Sequence, residues 1–125
     1  MKPSQLNKFT LGYVLAALWT SDPSPGQGDY METGLPLVDS IPSYWMEQAI
    51  ADCERFQAEN AELLEQAEDD SRNGHDFWLT RNGHGTGFWD RDYSDEVGRG
   101  LQNACRTFGE AYLDWEELAQ DETQA

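Results

Sequence analysis

The stretch from Pro42 to about Glu68 constrains the fold most, because its apolar residues recur at the helical period. At about 100° per residue, Trp45, Ala49, Cys53, Phe56, Asn60, Leu63 and Ala67 fall on one side of a helix. Pro42 suits a first helical turn, and Ser40 or Ser43 can cap it. Glu47, Glu54, Glu62, Glu65 and Glu68 fall on the opposite side, and the only cation between Trp45 and Asp70 is Arg55. A charge run is usually just a solvated face. Such a face ordinarily mixes signs, however, since Glu–Lys pairs four apart contribute roughly 0.2–0.5 kcal/mol each. This one forgoes that contribution and accepts self-repulsion, which makes its five glutamates the candidate partner-binding surface.

The rest of the chain repeats that imbalance. Asp and Glu number 24 against 8 Lys and Arg, a formal net charge of -16. Phosphate recognition rests on clustered Lys and Arg, so this balance argues against direct binding to nucleic acid or to an anionic membrane. A disordered acidic tail would not carry 5 Trp, 5 Tyr and 5 Phe, so most of the chain should fold. At 125 residues it is expected to form a single domain over 1–125. Within it we expect a Pro/Gly-rich loop at about 20–41 and a frayed tail at about 120–125.

A first helix is expected from about Ser4 to Trp19, where Leu6, Phe9, Tyr13, Ala16 and Ala17 recur at helical spacing. Lys2 and Lys8 before the apolar run Phe9–Trp19 imitate a secretory leader. The run ends in Trp19 without a small-residue cleavage site, so it reads as a core helix. A further helix should start at Ser94, a capping residue followed by Asp95 and Glu96. Val97, Leu101, Ala104, Cys105 and Phe108 form its stripe, and Gly109 can end it in a left-handed conformation. Periodicity leaves 110–119 open between helix and strand.

Between these elements, Asp69–Gly74 reads as a linker, and His75–Arg91 reads HDFWLTRNGHGTGFWDR. Aromatic residues and threonines flank Asn82-Gly83, a strong short-range hairpin signal. Strands are expected at about Asp76–Arg81 and Thr86–Arg91, with Phe77 opposite Phe88. The expected fold is therefore α+β, with about three helices packed on a small antiparallel sheet built on this central hairpin. Trp45, Phe56, Phe77, Phe88, Leu101 and Phe108 are the expected core. Trp78, Arg81, His84, Trp89 and Arg91 make the hairpin a possible ligand or partner site, since stacked aromatics and arginines suit bases and sugars.

Catalytic signals are weak. No Gly-x-Ser-x-Gly elbow is present, and Gly83–Gly87 lacks the Lys and following helix of a phosphate loop. Cys53 and Cys105 lie on apolar stripes without a Cys-x-x-Cys partner, and we expect two buried thiols in a reducing compartment. In a hairpin His75 and His84 would stand about 20 Å apart, too far for one metal. We expect no catalytic residues, no metal and no cofactor.

The run GHDFWLTRNGHGTGFWDR resembles the signature of an uncharacterised family of small acidic proteins of bacteriophages and other mobile elements. Phe9-Thr10, Ala16–Asp22 and Ala51–Phe56 fit the same family, so the likeness covers most of the chain. It implies origin and fold more than activity. Leu113-Asp114-Trp115-Glu116-Glu117 departs from the Gly-Asp-rich strand with which members often finish. Together with the charge pattern, this resemblance leads to an expected non-enzymatic phage-type accessory protein in the host cytoplasm. It would inhibit a host nucleic-acid-handling or defence protein by presenting a DNA-like acidic surface to a basic cleft. The alternative is a small-ligand or nucleotide binder centred on the aromatic hairpin.

Overall fold

The structure is a computed structural model and describes residues 2–26, 28–83, 88 and 94–118. It contains α1 (Lys8–Ser21), α2 (Tyr30–Thr33), α3 (Ser43–Glu59), α4 (Ala61–Ala67), α5 (Asp70–Arg81) and α6 (Asp95–Arg106). Two 3₁₀ segments, Pro3–Gln5 and Leu35–Ser40, complete the order, and residues 115–118 are again helical.

The α1 helix is central. Phe9, Thr10 and every residue from Gly12 to Leu18 are buried. A helix apolar on all sides has no solvent face to present, so neighbours must surround it. It starts later than the Ser4 expected, because Pro3–Gln5 forms a 3₁₀ turn and the Asn7 side chain accepts the Thr10 amide at 2.8 Å. Helix α5 packs most intimately on it, at two glycines. A Cβ at Gly74 would lie 1.8 Å from the Phe9 carbonyl oxygen, and one at Gly12 would lie 2.1 Å from that of Ser71. The two backbones touch where side chains would hold them apart.

The expected α+β fold is overturned. No strand occurs among the described residues, and the segment read as the first strand of the hairpin is the second half of α5. The supposed linker 69–74 is the start of the same helix, capped by the Asp69 carboxylate on the Arg72 amide at 3.1 Å. Asn82 and Gly83 end this helix. The Gly83 amide bonds the Thr80 carbonyl at 3.2 Å, and Gly83 takes a φ of 73°. A left-handed glycine is what a helix C-terminus and a tight hairpin turn both require, so one dipeptide signals either. The proposed second strand, apart from Phe88, lies outside the described residues.

The long acidic helix is two. Helix α3 ends at Glu59; Asn60, with φ -125° and its side chain bonded to the Phe56 carbonyl, turns the chain into α4. Helix α6 begins where expected, with Ser94 capping the Val97 amide at 3.3 Å, and Gly109 is left-handed at φ 69°. Residues 109–114 are neither helix nor strand.

An aromatic cluster joins the helices. Phe56 of α3 stacks on Phe77 of α5 at 4.2 Å and on Phe88 at 5.9 Å, and it meets Phe9 and Phe108 at 5.9 and 5.7 Å. Trp45, Phe56, Phe77, Phe88 and Leu101 are buried as expected, and Phe108 is half-buried. Phe77 and Phe88 share this core through Phe56 rather than as a cross-strand pair. No helix among the described residues is long and apolar enough to cross a membrane.

Candidate functional site

Glu47 and Glu54 on α3, Glu62 and Glu65 on α4, and Glu68 at its C-cap are all exposed, as are Asp69 and Asp70 beyond them. Their density is uneven. Seven residues separate Glu47 from Glu54, about 10 Å of axis, whereas Glu62 and Glu65 stand about 4.5 Å apart along theirs. The crowded end is therefore α4 and the residues just after it. Arg55 stays outside this array: it pairs with Glu59 at 3.6 Å and lies 3.9 Å above the Phe108 ring.

The residues expected on the hairpin separate. Trp78 is buried, edge-on to Tyr13 and Trp45, and its indole N–H donates to the Thr20 hydroxyl at 2.8 Å. Arg81 is also buried. Its Nη1 donates to Asp52 Oδ2 at 2.9 Å and to the Tyr13 hydroxyl at 3.0 Å, and its Nε and Nη2 donate to the Gly109 and Phe108 carbonyls at 2.8 and 2.9 Å. Those carbonyls follow the end of α6, where helices leave acceptors unsatisfied. One guanidinium thus ties α5 to α1, α3 and the chain beyond α6. His84, Trp89 and Arg91 lie outside the described residues.

Both thiols are free and buried. Burial pushes Cys105 up to about 12 and raises Cys53 as well, so neither serves as a ready nucleophile. His75 is partly exposed, 3.7 Å from the fully buried Asp76, and its ring tilts against Trp19 at 6.1 Å. Among the described residues no group of three or more His, Cys, Asp or Glu side chains converges as a metal site would require.

Sequence reasoning missed the segment 109–114. Asn82 Oδ1 accepts the Ala111 amide at 2.8 Å, the Trp45 indole donates to the Tyr112 carbonyl at 2.9 Å, and Leu113 is buried. Held this way, the segment walls a cleft of about 480 Å³ with Thr20, Trp78 and Trp115 on one side, and a smaller aromatic cavity on the other. No local pattern marks it, because the side chains of distant helices, not a repeat of its own, supply its hydrogen bonds. No family model, curated protein or solved structure matches this chain.

Proposed function

We propose that this protein acts without catalysis, by docking its acidic α3–α4 face on the basic cleft of a nucleic-acid-handling protein and excluding nucleic acid from it. The observation that carries this reading is the exposed, single-sign run of Glu47, Glu54, Glu62, Glu65 and Glu68, continued by Asp69 and Asp70. Near α4 the carboxylates approach, in axial distance per charge, the roughly 3.4 Å of duplex axis per phosphate of one DNA strand. The net charge of -16 speeds encounter with a positive cleft. The resemblance to mobile-element proteins favours a host protein as the target.

Helices cover the reading's main rival, the ligand-binding hairpin, at its two described anchors: Trp78 and Arg81 both have internal partners. The test is capture of host proteins on the immobilised chain. Captured nucleic-acid-binding proteins should be released by duplex DNA and by raised salt, because screening shortens from roughly 8 Å at 0.15 M to 3 Å at 1 M. Reversing Glu47, Glu54, Glu62 and Glu65 to Lys should abolish capture. A complex that resists both DNA and salt and survives the four reversals would rule the reading out.

A further inference from the structure

Beside the acidic stripe of α3 lies a cavity of about 280 Å³ whose walls include Tyr13, Tyr44, Trp45, Gln48, Asp52 and Tyr112. The two outer rings are out of place for a core. Tyr44 is 63% exposed and Tyr112 is 79% exposed. The two inner rings, Tyr13 and Trp45, are buried and stacked 6.2 Å apart. The Tyr44 ring is nevertheless positioned through its hydroxyl, and the backbone that carries the Tyr112 ring is held as well. The Tyr44 hydroxyl donates to Glu117 at 2.6 Å, and the Tyr112 backbone is held by the Trp45 indole.

The charges around this box are negative. Asp52 lines it, and Glu117 and Asp114 stand near Tyr44. The hydrogen bond to Glu117 is the main cause that raises the Tyr44 pKa, and the charges of Glu117 and Asp114 add to it. Arg81 lies beneath Asp52 with its side chain only 4% exposed, and it is bonded to Asp52, to the Tyr13 hydroxyl and to two carbonyls. It balances Asp52; among the described residues no Lys or Arg pairs with Glu117 or Asp114. Aromatic faces carry the negative end of their quadrupole and attract cations.

We propose that this cavity binds an alkylammonium group of the quaternary or methylated kind. A methylated ammonium spreads its charge over apolar methyl groups, which suits ring walls. A bare ammonium is strongly hydrated and costs more to bring in. The same head group occurs on free quaternary amines and on methylated lysine side chains. The proposal does not require the acidic-face reading.

The indole N–H resonance of Trp45 reports on the inner wall. It is followed while the protein is titrated with choline, with 3,3-dimethylbutan-1-ol (its uncharged isostere), and with a peptide carrying trimethyllysine. Choline should shift it saturably, and the isostere should bind about tenfold more weakly or worse. Tyr44→Leu and Tyr112→Leu should each weaken choline about fivefold, while Tyr44→Phe, which keeps the ring but loses its hydrogen bond to Glu117, should weaken it less than Tyr44→Leu does. Circular dichroism checks that these surface variants fold. A peptide tighter than choline marks a protein-borne ligand; equal or weaker binding marks a free amine; both support the site. An unmoved Trp45 resonance at every choline concentration, an isostere that binds equally well, or unchanged affinity in both leucine variants would overturn it.

Discussion

Arg81 is the residue on which most elements depend, and its substitution tests whether a buried charge organises this fold. Replacing it with Met keeps bulk but strands Asp52 and leaves the Phe108 and Gly109 carbonyls without their donor. Breaking one side of a buried pair costs about 3–5 kcal/mol; urea unfolding should show a loss of that size, and a loss below about 1 kcal/mol would contradict the assigned role. Phe56→Ala should also cost about 3–5 kcal/mol, because the ring touches four other phenylalanines. Asn73 points the opposite way. It is fully buried, and its side-chain oxygen and nitrogen have no hydrogen-bond partner among the described residues. Removing such an unsatisfied amide gains back a desolvation cost of about 1–3 kcal/mol, so Asn73→Leu should raise the urea midpoint. Cys105 links stability to pH. An unfolded thiol ionises near 8.5, whereas the folded one does so only near about 12. Its contribution is complete below the lower value and is lost as pH rises towards the upper one, because the unfolded chain releases the proton first. Wild type should therefore lose stability above about pH 9 more steeply than Cys105→Ala does in the same unfolding series.

Among the elements, the α1–α5 crossing controls how closely the helices approach. A methyl at Gly74 would overlap the Phe9 carbonyl, and one at Gly12 the Ser71 carbonyl; neither obstacle is a flexible side-chain end. Overpacking of this kind costs roughly 1–3 kcal/mol and more when backbone must move. Gly74→Ala should lower the melting temperature, although alanine favours helix in isolation by roughly 1 kcal/mol. An unchanged or raised melting temperature would mean that the helices are not in backbone contact. Substituting alanine at Gly100 on α6 is the useful control, since the obstacle there is the end of the Leu63 side chain, which can rotate away.

For the molecule as a whole, a formal net charge of -16 sets like charges against one another. Each reversal of Glu47, Glu54, Glu62 or Glu65 to Lys moves the net charge by two, so four take it from -16 to about -8. All four side chains are exposed, so the variant should fold with an equal or higher melting temperature. Adding salt should stabilise the parent more than the variant, because there is more repulsion to screen. A variant that unfolds would place these glutamates in structural contacts instead.

Sequence alone determined the parts whose signals are local and whose faces are apolar. The α3 stripe of Trp45, Ala49, Cys53 and Phe56, the Ser94 cap and the left-handed Gly109 could be read because each rests on neighbours within a turn or two, although α6 itself ends earlier, at Arg106. The acidic exposure was equally legible, since a run of glutamates opposite an apolar stripe has only solvent to face. Tertiary structure alone decided the rest. Helix α5 buries Asn73, Gly74, Asp76 and Arg81 alongside its aromatics. Its contact face is thus written in a missing side chain and in charges, which hydrophobic periodicity counts as solvent-facing. Aromatic residues and Thr80 beside Asn82-Gly83 then looked like a strand and its turn. What settles the choice is the partner across the crossing: α1 sets Gly12 against the Ser71 carbonyl of α5 and its own Phe9 carbonyl against Gly74, with no room for a Cβ at either glycine. The aromatic cavity arose the same way, from helices far apart in sequence meeting a segment that has no period of its own, a meeting that only packing can specify.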